Sequence, residues 1–279
     1  MENNQETPVQ EKSKIFAINL LEKLRQGENF AEIMKNLPIE AYAHKDKCAC
    51  CSDGRFVPQD NDMEKSCLAG QGILLLFSLD DLNDFVEKMK NNPDKPKAIA
   101  SHVACGAAGL AHKELQSMIA DNKSVEAIFS WLGIDSLPET SDELGEIFTK
   151  RLASAVESDY YHMDFQASHD HNESGIIISA IDFDERFIKV GDQQFFNSSS
   201  AQFEVSDEYL KTELTKLTEI AFHHGKMGVH SDHYNEADNF YLLVVSNSDQ
   251  ADRLKEIATA VSLNPDFLGK VKVEVFVKE

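Results

Sequence analysis

The pattern of apolar and polar positions predicts strands that alternate with helices through the first half of the chain. Apolar residues recur at helical spacing over 13–37, and Pro38 ends that section. A short strand is predicted to lead into Cys51. The run 70–77 is typical of a glycine turn followed by a buried strand.

Three further elements continue the same alternation. A helix is predicted over 79–90, a strand over 98–101 and a helix that opens at 106–109. Residues 124–158 have helical spacing, with an interruption at 133–140. Because strand, helix, strand, helix is the sequence sign of a parallel sheet covered by helices, the fold class is predicted as α/β.

The character of the sequence changes after residue 158. The elements predicted there are a strand over 176–181, a helix over 209–222, a strand over 240–245, a helix over 250–261 and a closing strand over 270–278, with 191–201 as loop. We therefore expect three regions: a disordered tail over 1–14, an α/β domain over 15–158 and an additional α+β C-terminal half over 159–279.

Composition and charge narrow the function classes. The chain has 279 residues, 42% of them hydrophobic, which is enough for a large core. Its net charge of -21 argues against a partner nucleic acid or an anionic membrane, because phosphates repel an acidic surface. No run approaches the ~20 apolar residues that span a bilayer. Residues 1–14 lack the apolar core of a signal peptide, so a cytoplasmic protein is expected.

The five cysteines do not have the spacing of a secreted disulfide framework, and they favour metal chemistry in a reducing compartment. Cys51 stands apart from the pair His102-x-x-Cys105, which arrives about fifty residues later. Two thiolates and an imidazole are a three-ligand zinc set, and three protein ligands leave a fourth position for water or substrate. The spacing suggests ligands from the ends of two strands.

The motif Cys51-x-Asp53-x-Arg55, followed by His102-x-x-Cys105, resembles the β-class carbonic anhydrases over roughly residues 40–120. The resemblance implies a central parallel sheet flanked by helices, with Zn²⁺ bound by Cys51, His102 and Cys105. It implies reversible hydration of CO2 to bicarbonate by a zinc-bound hydroxide. With two thiolates and a neutral histidine the zinc centre is formally neutral, so activity is expected to rise toward alkaline pH.

Asp53 and Arg55 are the catalytic residues that the resemblance implies. In the family these two residues pair through a charge-assisted bond, and the fourth zinc position is then open to water. When the pair breaks, the carboxylate can ligate zinc and close the site. Asp53 is expected to orient the zinc-bound water or to relay its proton.

Two details bear on this resemblance. Gly54 stands where the family usually has serine, and Asp-Gly-Arg resembles divergent carboxysomal and cadmium-using relatives that space the histidine and second cysteine further apart. The stretch 68–72 resembles a turn with Ala-Gly that the family carries. The chain therefore mixes features of more than one branch.

Alternative interpretations stay open at the level of sequence. The same zinc site can serve a hydrolase of COS or CS2, or a non-catalytic, regulatory zinc protein. A redox or metal-sensing protein could instead use Cys48, Cys50 and Cys51. The cysteines can also be small buried hydrophobic residues, with Asp53 and Arg55 as a structural ion pair. Cys48, Cys50 and Cys67 are expected to be spare thiols.

Histidine is concentrated in the second half of the chain. The residues concerned are His162, His169, His171, His223, His224, His230 and His233. Three interpretations are open: a second metal site, a proton-shuttling cluster, or the solvated histidines that polar loops usually contain.

The two halves also carry a short internal similarity. Cys51-Ser-Asp-Gly-Arg-Phe56 aligns with Asp182-Phe-Asp-Glu-Arg-Phe187, each after an apolar strand. If the chain is a duplicated domain, its second copy lacks the cysteines and acts as a built-in partner. The chain is then an internal pseudo-dimer, and otherwise a homodimer is expected from the resemblance.

Overall fold

The computed structural model describes residues 20–35, 46–52, 63–93, 95–163, 174–181, 195–223, 239–267 and 269–278. The α-helices are α1 Leu20–Arg25, α2 Phe30–Lys35, α3 Leu79–Asn91, α4 Gly106–Ala120, α5 Glu126–Leu132, α6 Ser141–Val156, α7 Asp207–His223 and α8 Ser248–Ser262. The strands are β1 Asp46–Cys51, β2 Met63–Leu68, β3 Ala98–His102, β4 Asp159–Met163, β5 Gly175–Ser179, β6 Phe196–Ser198, β7 Phe240–Asn247 and β8 Val271–Lys278. Three 3₁₀ helices lie at Ala69–Phe77, Ser200–Phe203 and Pro265–Phe267.

The first four strands form a parallel sheet in the order β2-β1-β3-β4. Strand β3 is buried along its whole length, as expected for a strand with both faces covered. The prediction of an α/β fold is therefore confirmed for this half. The apolar run 73–77, predicted as a strand, belongs instead to the first 3₁₀ helix. A short apolar run does not by itself distinguish the two conformations.

The last four strands form a second parallel sheet in the order β6-β5-β7-β8. The prediction of an α+β half is wrong in this respect, because every strand pair described here is parallel and helices lie between β6 and β7 and between β7 and β8. β5 and β7 are buried almost throughout, which explains their continuous apolar sequences Ile176–Ile178 and Phe240–Val245. The general class of the described chain is α/β in both halves.

The two sheets share one topology. Each is built from two strands, a 3₁₀ helix, a helix, a strand, a helical connection and a final strand, and the strand orders correspond position by position. Such a correspondence is what a duplicated domain requires. The residues of the short sequence alignment between the halves fall outside the described part, apart from Cys51 and Ser52.

The halves pack into one hydrophobic core. Phe85 of α3 contacts Phe203 of the second half with ring centroids 6.0 Å apart, and both belong to the same buried cluster. Between the two sheets, the backbone N–H of Asn197 donates to the carbonyl oxygen of Ser52 at 3.0 Å. The residue that follows Cys51 is thus hydrogen-bonded to β6 of the other half.

Helices α1 and α2 pack against the second sheet. Their buried residues, among them Leu20, Phe30 and Met34, form a cluster with Ile177 and Leu243. The N-terminal segment of the region predicted as 15–158 therefore covers the C-terminal half. At the other end of that region, β4 begins at Asp159, just past the expected boundary, and pairs with β3 in the first sheet.

Candidate metal centre

The structure brings Cys51, His102 and Cys105 together at one edge of the first sheet. Cys51 is the last residue of β1 and His102 the last residue of β3, and these neighbouring strands pair in parallel. Cys105 caps the N-terminus of α4 three residues later. Since the carboxyl ends of parallel strands are where open α/β sheets bind their ligands, the topology accounts for this convergence.

The ligand atoms of the three side chains all lie within 4.8 Å of one another, and all three residues are buried. The Sγ atoms of Cys51 and Cys105 are 3.7 Å apart. A tetrahedral zinc ion with Zn–S bonds of about 2.3 Å would require a sulfur–sulfur distance of roughly 3.8 Å. The donor set and its spacing therefore fit a zinc-sized, soft divalent cation.

His102 is oriented by its own loop. Its Nδ1 lies 2.8 Å from the carbonyl oxygen of Val103, and a carbonyl only accepts, so Nδ1 carries the proton. The lone pair of the ring is then on Nε2, which is buried. A backbone carbonyl that fixes the tautomer in this way is the usual second contact of a metal-binding histidine.

The loop between His102 and Cys105 adopts an unusual backbone conformation. Ala104 has a φ of +55°, in the left-handed region that side chains other than glycine rarely adopt. Its N–H donates to Oδ1 of Asp142 at 2.8 Å. Asp142 lies in the first turn of α6, so a neighbouring helix holds the turn that separates two candidate ligands.

The pKa of the Cys105 thiol is raised well above its usual value, first because of its hydrogen bond with Cys51 and then because of burial. The backbone N–H groups of Ala107 and Ala108 act in the opposite direction, as predicted for a cysteine at a helix N-terminus. A divalent cation at this point would reverse the balance, since it stabilises both thiolates.

Gly70 closes the site on the side of β2. It has a φ of +54°, and a Cβ added to it would lie 2.9 Å from the Cβ of Ala107 and 3.5 Å from the Sγ of Cys105. The turn that begins the first 3₁₀ helix thus packs directly on the candidate ligand. Its glycine is required by both the backbone angle and the close approach.

The second half contributes a buried polar cluster beside the site. Glu213 and Tyr209 of α7 are both buried, and the pKa of each is raised, first by burial. Cys51 lies close enough to add to both shifts. Sequence reasoning missed these residues. A signal was present in the sequence: Glu213 is a charged residue on the apolar stripe of a predicted amphipathic helix. It lies one helical turn after Tyr209 and one helical turn before Leu217.

Other predicted residues are placed as follows. Asp53 and Arg55 lie outside the described residues. Cys48 and Cys50 are buried in a separate small cluster with Ala98 and Ala100, so Cys51 is the thiol that reaches Cys105. Of the histidines of the second half, the side chain of His162 alone is described, exposed and with Nδ1 2.9 Å from the Oγ of Ser101.

Comparison with known proteins found no match: no family model, no curated protein and no solved structure matches the chain. Within the part of the chain that the structure describes, no helix has the length and apolarity that crossing a bilayer requires. The site is therefore classed by its own geometry. It is a buried group of two thiols and one imidazole, at the carboxyl edge of a parallel sheet, that could hold one metal ion.

Proposed function

We propose that the protein is a zinc enzyme that interconverts CO2 and bicarbonate. One observation carries this proposal: Cys51, His102 and Cys105 meet with the spacing that a tetrahedral zinc site would require. Among the described residues they are three possible ligands, which would leave one coordination position for a small ligand. The order of these residues along the chain, and its resemblance to the β-class carbonic anhydrases, supports the choice of reaction.

The donor set favours zinc over the harder cations. Thiolate and imidazole suit zinc and related soft metals, whereas magnesium and calcium prefer oxygen ligands. A structural zinc site would more often use four protein ligands. The group at the edge of the first sheet has three among the described residues, which favours a catalytic centre.

The chain's own residues have separable tasks in this proposal. Cys51 and Cys105 hold the metal through sulfur and His102 through Nε2, while the carbonyl of Val103 keeps the imidazole in the required tautomer. Zinc bound there supplies a Lewis acid that lowers the pKa of a bound water. By resemblance, Asp53 would orient the bound water or relay its proton, and Arg55 would hold Asp53 away from the metal.

The test is stopped-flow CO2 hydration by the zinc-loaded protein between pH 7 and 9. Cys105→Ala removes one ligand, and Cys48→Ala is the matched control, because Cys48 is an equally buried thiol outside the group. We expect turnover that increases with pH, is lost in Cys105→Ala and is retained in Cys48→Ala. Wild-type protein that holds one zinc ion and yet shows no turnover above background would refute the proposed reaction.

A further inference from the structure

A fully buried carboxyl group crosses from the second half of the molecule to the candidate metal centre. Glu213 lies in the middle of α7 with an exposed fraction of 0%. Burying a carboxyl group is costly unless its oxygens are hydrogen-bonded, and apolar side chains of similar volume often stabilise such a position as well or better. The contacts that Glu213 makes therefore indicate what it contributes.

Each carboxyl oxygen of Glu213 accepts one hydrogen bond. Oε1 accepts from the backbone N–H of Ala69 at 2.7 Å, and Oε2 accepts from the Oγ of Ser198 at 2.9 Å. Ala69 is the first residue of the 3₁₀ helix that follows β2, and Ser198 is the last residue of β6. The side chain thus joins the edge strands of the two sheets.

Both contacts lead to a candidate ligand. Ala69 precedes Gly70, where an added Cβ would lie 3.5 Å from the Sγ of Cys105. Ser198 follows Asn197, whose N–H donates to the carbonyl oxygen of Ser52, the residue after Cys51. One carboxyl group is consequently connected, through a short series of neighbouring residues on either side, to the surroundings of both sulfur atoms.

Helix α7 approaches the site at a second point. A Cβ added to Gly106, the residue after Cys105, would lie 3.4 Å from the Cδ1 of Ile220. The helix of the second half therefore packs on the start of α4 as well as on the turn at Ala69. A change within this helix can be transmitted to Cys105 by packing.

The surroundings of Glu213 are polar. The hydroxyl groups of Ser200 and Tyr209 are buried beside Glu213 and make no hydrogen bond of normal geometry in the described part of the chain. Ser200 is nevertheless near enough to lower the pKa of both Tyr209 and Glu213. A polar region of this kind between two halves is not what packing alone would select.

We propose that Glu213 is a positioning residue of the metal centre, supplied by the second half: by holding Ala69 and Ser198, it fixes Gly70 against Cys105 and Ser52 beside Cys51, and so sets the separation of the two sulfur ligands. This inference rests on the metal site of the proposed function. It assigns the second half a part in building the site, although that half carries no ligand of the group.

The test compares Glu213→Leu and Glu213→Gln with Glu208→Leu, a change on the exposed side of the same helix. Zinc affinity is measured by competition with a chromophoric chelator, and ligand geometry by the thiolate charge-transfer and d–d bands of the cobalt-substituted protein. We expect Glu213→Leu to weaken zinc binding about tenfold and to alter the d–d bands. Glu213→Gln, which keeps an acceptor for Ala69, should remain within about threefold of wild type, and Glu208→Leu should equal wild type.

Glu213→Leu with wild-type zinc affinity and an unchanged cobalt spectrum would overturn the inference. If that variant does not fold, Ser198→Ala decides, because it removes one of the two contacts and leaves the carboxyl in place. If Ser198→Ala weakens zinc binding and alters the cobalt bands to a smaller extent than expected for Glu213→Leu, the inference is supported. If zinc affinity and the cobalt spectrum both stay at their wild-type values, the inference is overturned. Since neither readout uses CO2, a protein that binds zinc without hydrating CO2 would refute the proposed reaction alone. Wild-type protein that binds neither metal would refute both.

Discussion

Replacement of Gly70 by alanine tests how tightly the candidate metal centre depends on the turn after β2. The new methyl group would lie 2.8 Å from the Cγ2 of Ile73, 2.9 Å from the Cβ of Ala107 and 3.5 Å from the Sγ of Cys105. The Cγ2 of Ile73 belongs to a fully buried, β-branched side chain, so it can move only if its neighbours also shift. The Cβ of Ala107 cannot move independently, because it is attached to the backbone of α4 two residues after Cys105. The clash must therefore move the start of that helix or the turn itself.

The cost has two parts, and two other glycines allow them to be separated. A left-handed φ of +54° costs a non-glycine residue about 1–2 kcal/mol, and an overpacked methyl group adds about 1–3 kcal/mol. Gly133 has a φ of +72° with no heavy atom within 4 Å of an added Cβ, so Gly133→Ala reports the backbone part alone. Gly109 lies inside α4 with open space around it, so Gly109→Ala should raise the free energy of unfolding by about 0.5–1 kcal/mol.

Urea unfolding, followed by the fluorescence of Trp131 and by far-UV circular dichroism, gives the free energy of unfolding of each variant. We expect Gly70→Ala to lose about 2–5 kcal/mol and Gly133→Ala about 1–2 kcal/mol. Zinc affinity should fall about tenfold in Gly70→Ala and stay unchanged in Gly133→Ala. Equal losses in the two variants, with equal zinc affinity, would show that the contact between the turn and Cys105 is not what holds the site.

Three further predictions concern the surroundings of the site. Asp142→Ala removes the acceptor of the Ala104 N–H, so it should lower the free energy of unfolding by about 1 kcal/mol and weaken zinc binding severalfold. Thr140→Ala removes the capping box of the same helix, so it should lower the free energy of unfolding by about the same amount and leave zinc affinity unchanged. Equal zinc affinities in the two variants would contradict the role given to Asp142. Mild oxidation of chelator-treated protein should form a disulfide between Cys51 and Cys105, because their sulfur atoms are 3.7 Å apart. Bound zinc should prevent this disulfide. If peptide mass spectrometry finds the same disulfide yield with and without zinc, the result would count against metal binding by these two thiols. Because burial raises the pKa of Glu213 in the folded state, its contribution to stability is present below the ordinary carboxyl pKa and is lost as the pH rises through the raised value. The melting temperature of Glu213→Gln in chelator should therefore increase relative to wild type as the pH rises above the ordinary carboxyl pKa; a difference that does not change with pH would contradict this.

The sequence was sufficient for those features that depend on local order. The sequence pattern places Cys51 at the end of one predicted strand, and His102 and Cys105 just after the end of another. Because the ends of neighbouring parallel strands lie at the same edge of a sheet, this pattern predicted that the three residues converge. The glycine at position 70 was also singled out by its place in a turn.

Features that depend on contact between the halves were not predictable in the same way. The segment 195–200 was interpreted as part of a polar loop, yet its serines are buried because β6 lies against the first half. The predicted order of strand, helix, strand, helix, strand over 176–278 is itself the sign of a parallel sheet, so the α+β interpretation departed from the rule that was applied to the first half. The packing of α1 and α2 on the second sheet likewise depends on residues more than a hundred positions away.

The continuity of one core through both halves has a consequence for how the site responds to dilution. Where two separate subunits build a site between them, its integrity falls with protein concentration by mass action. Here the segment that carries Glu213 is covalently linked to the segment that carries the cysteines, so its effective concentration is set by the chain itself. The metal centre should therefore be equally complete at nanomolar and micromolar protein.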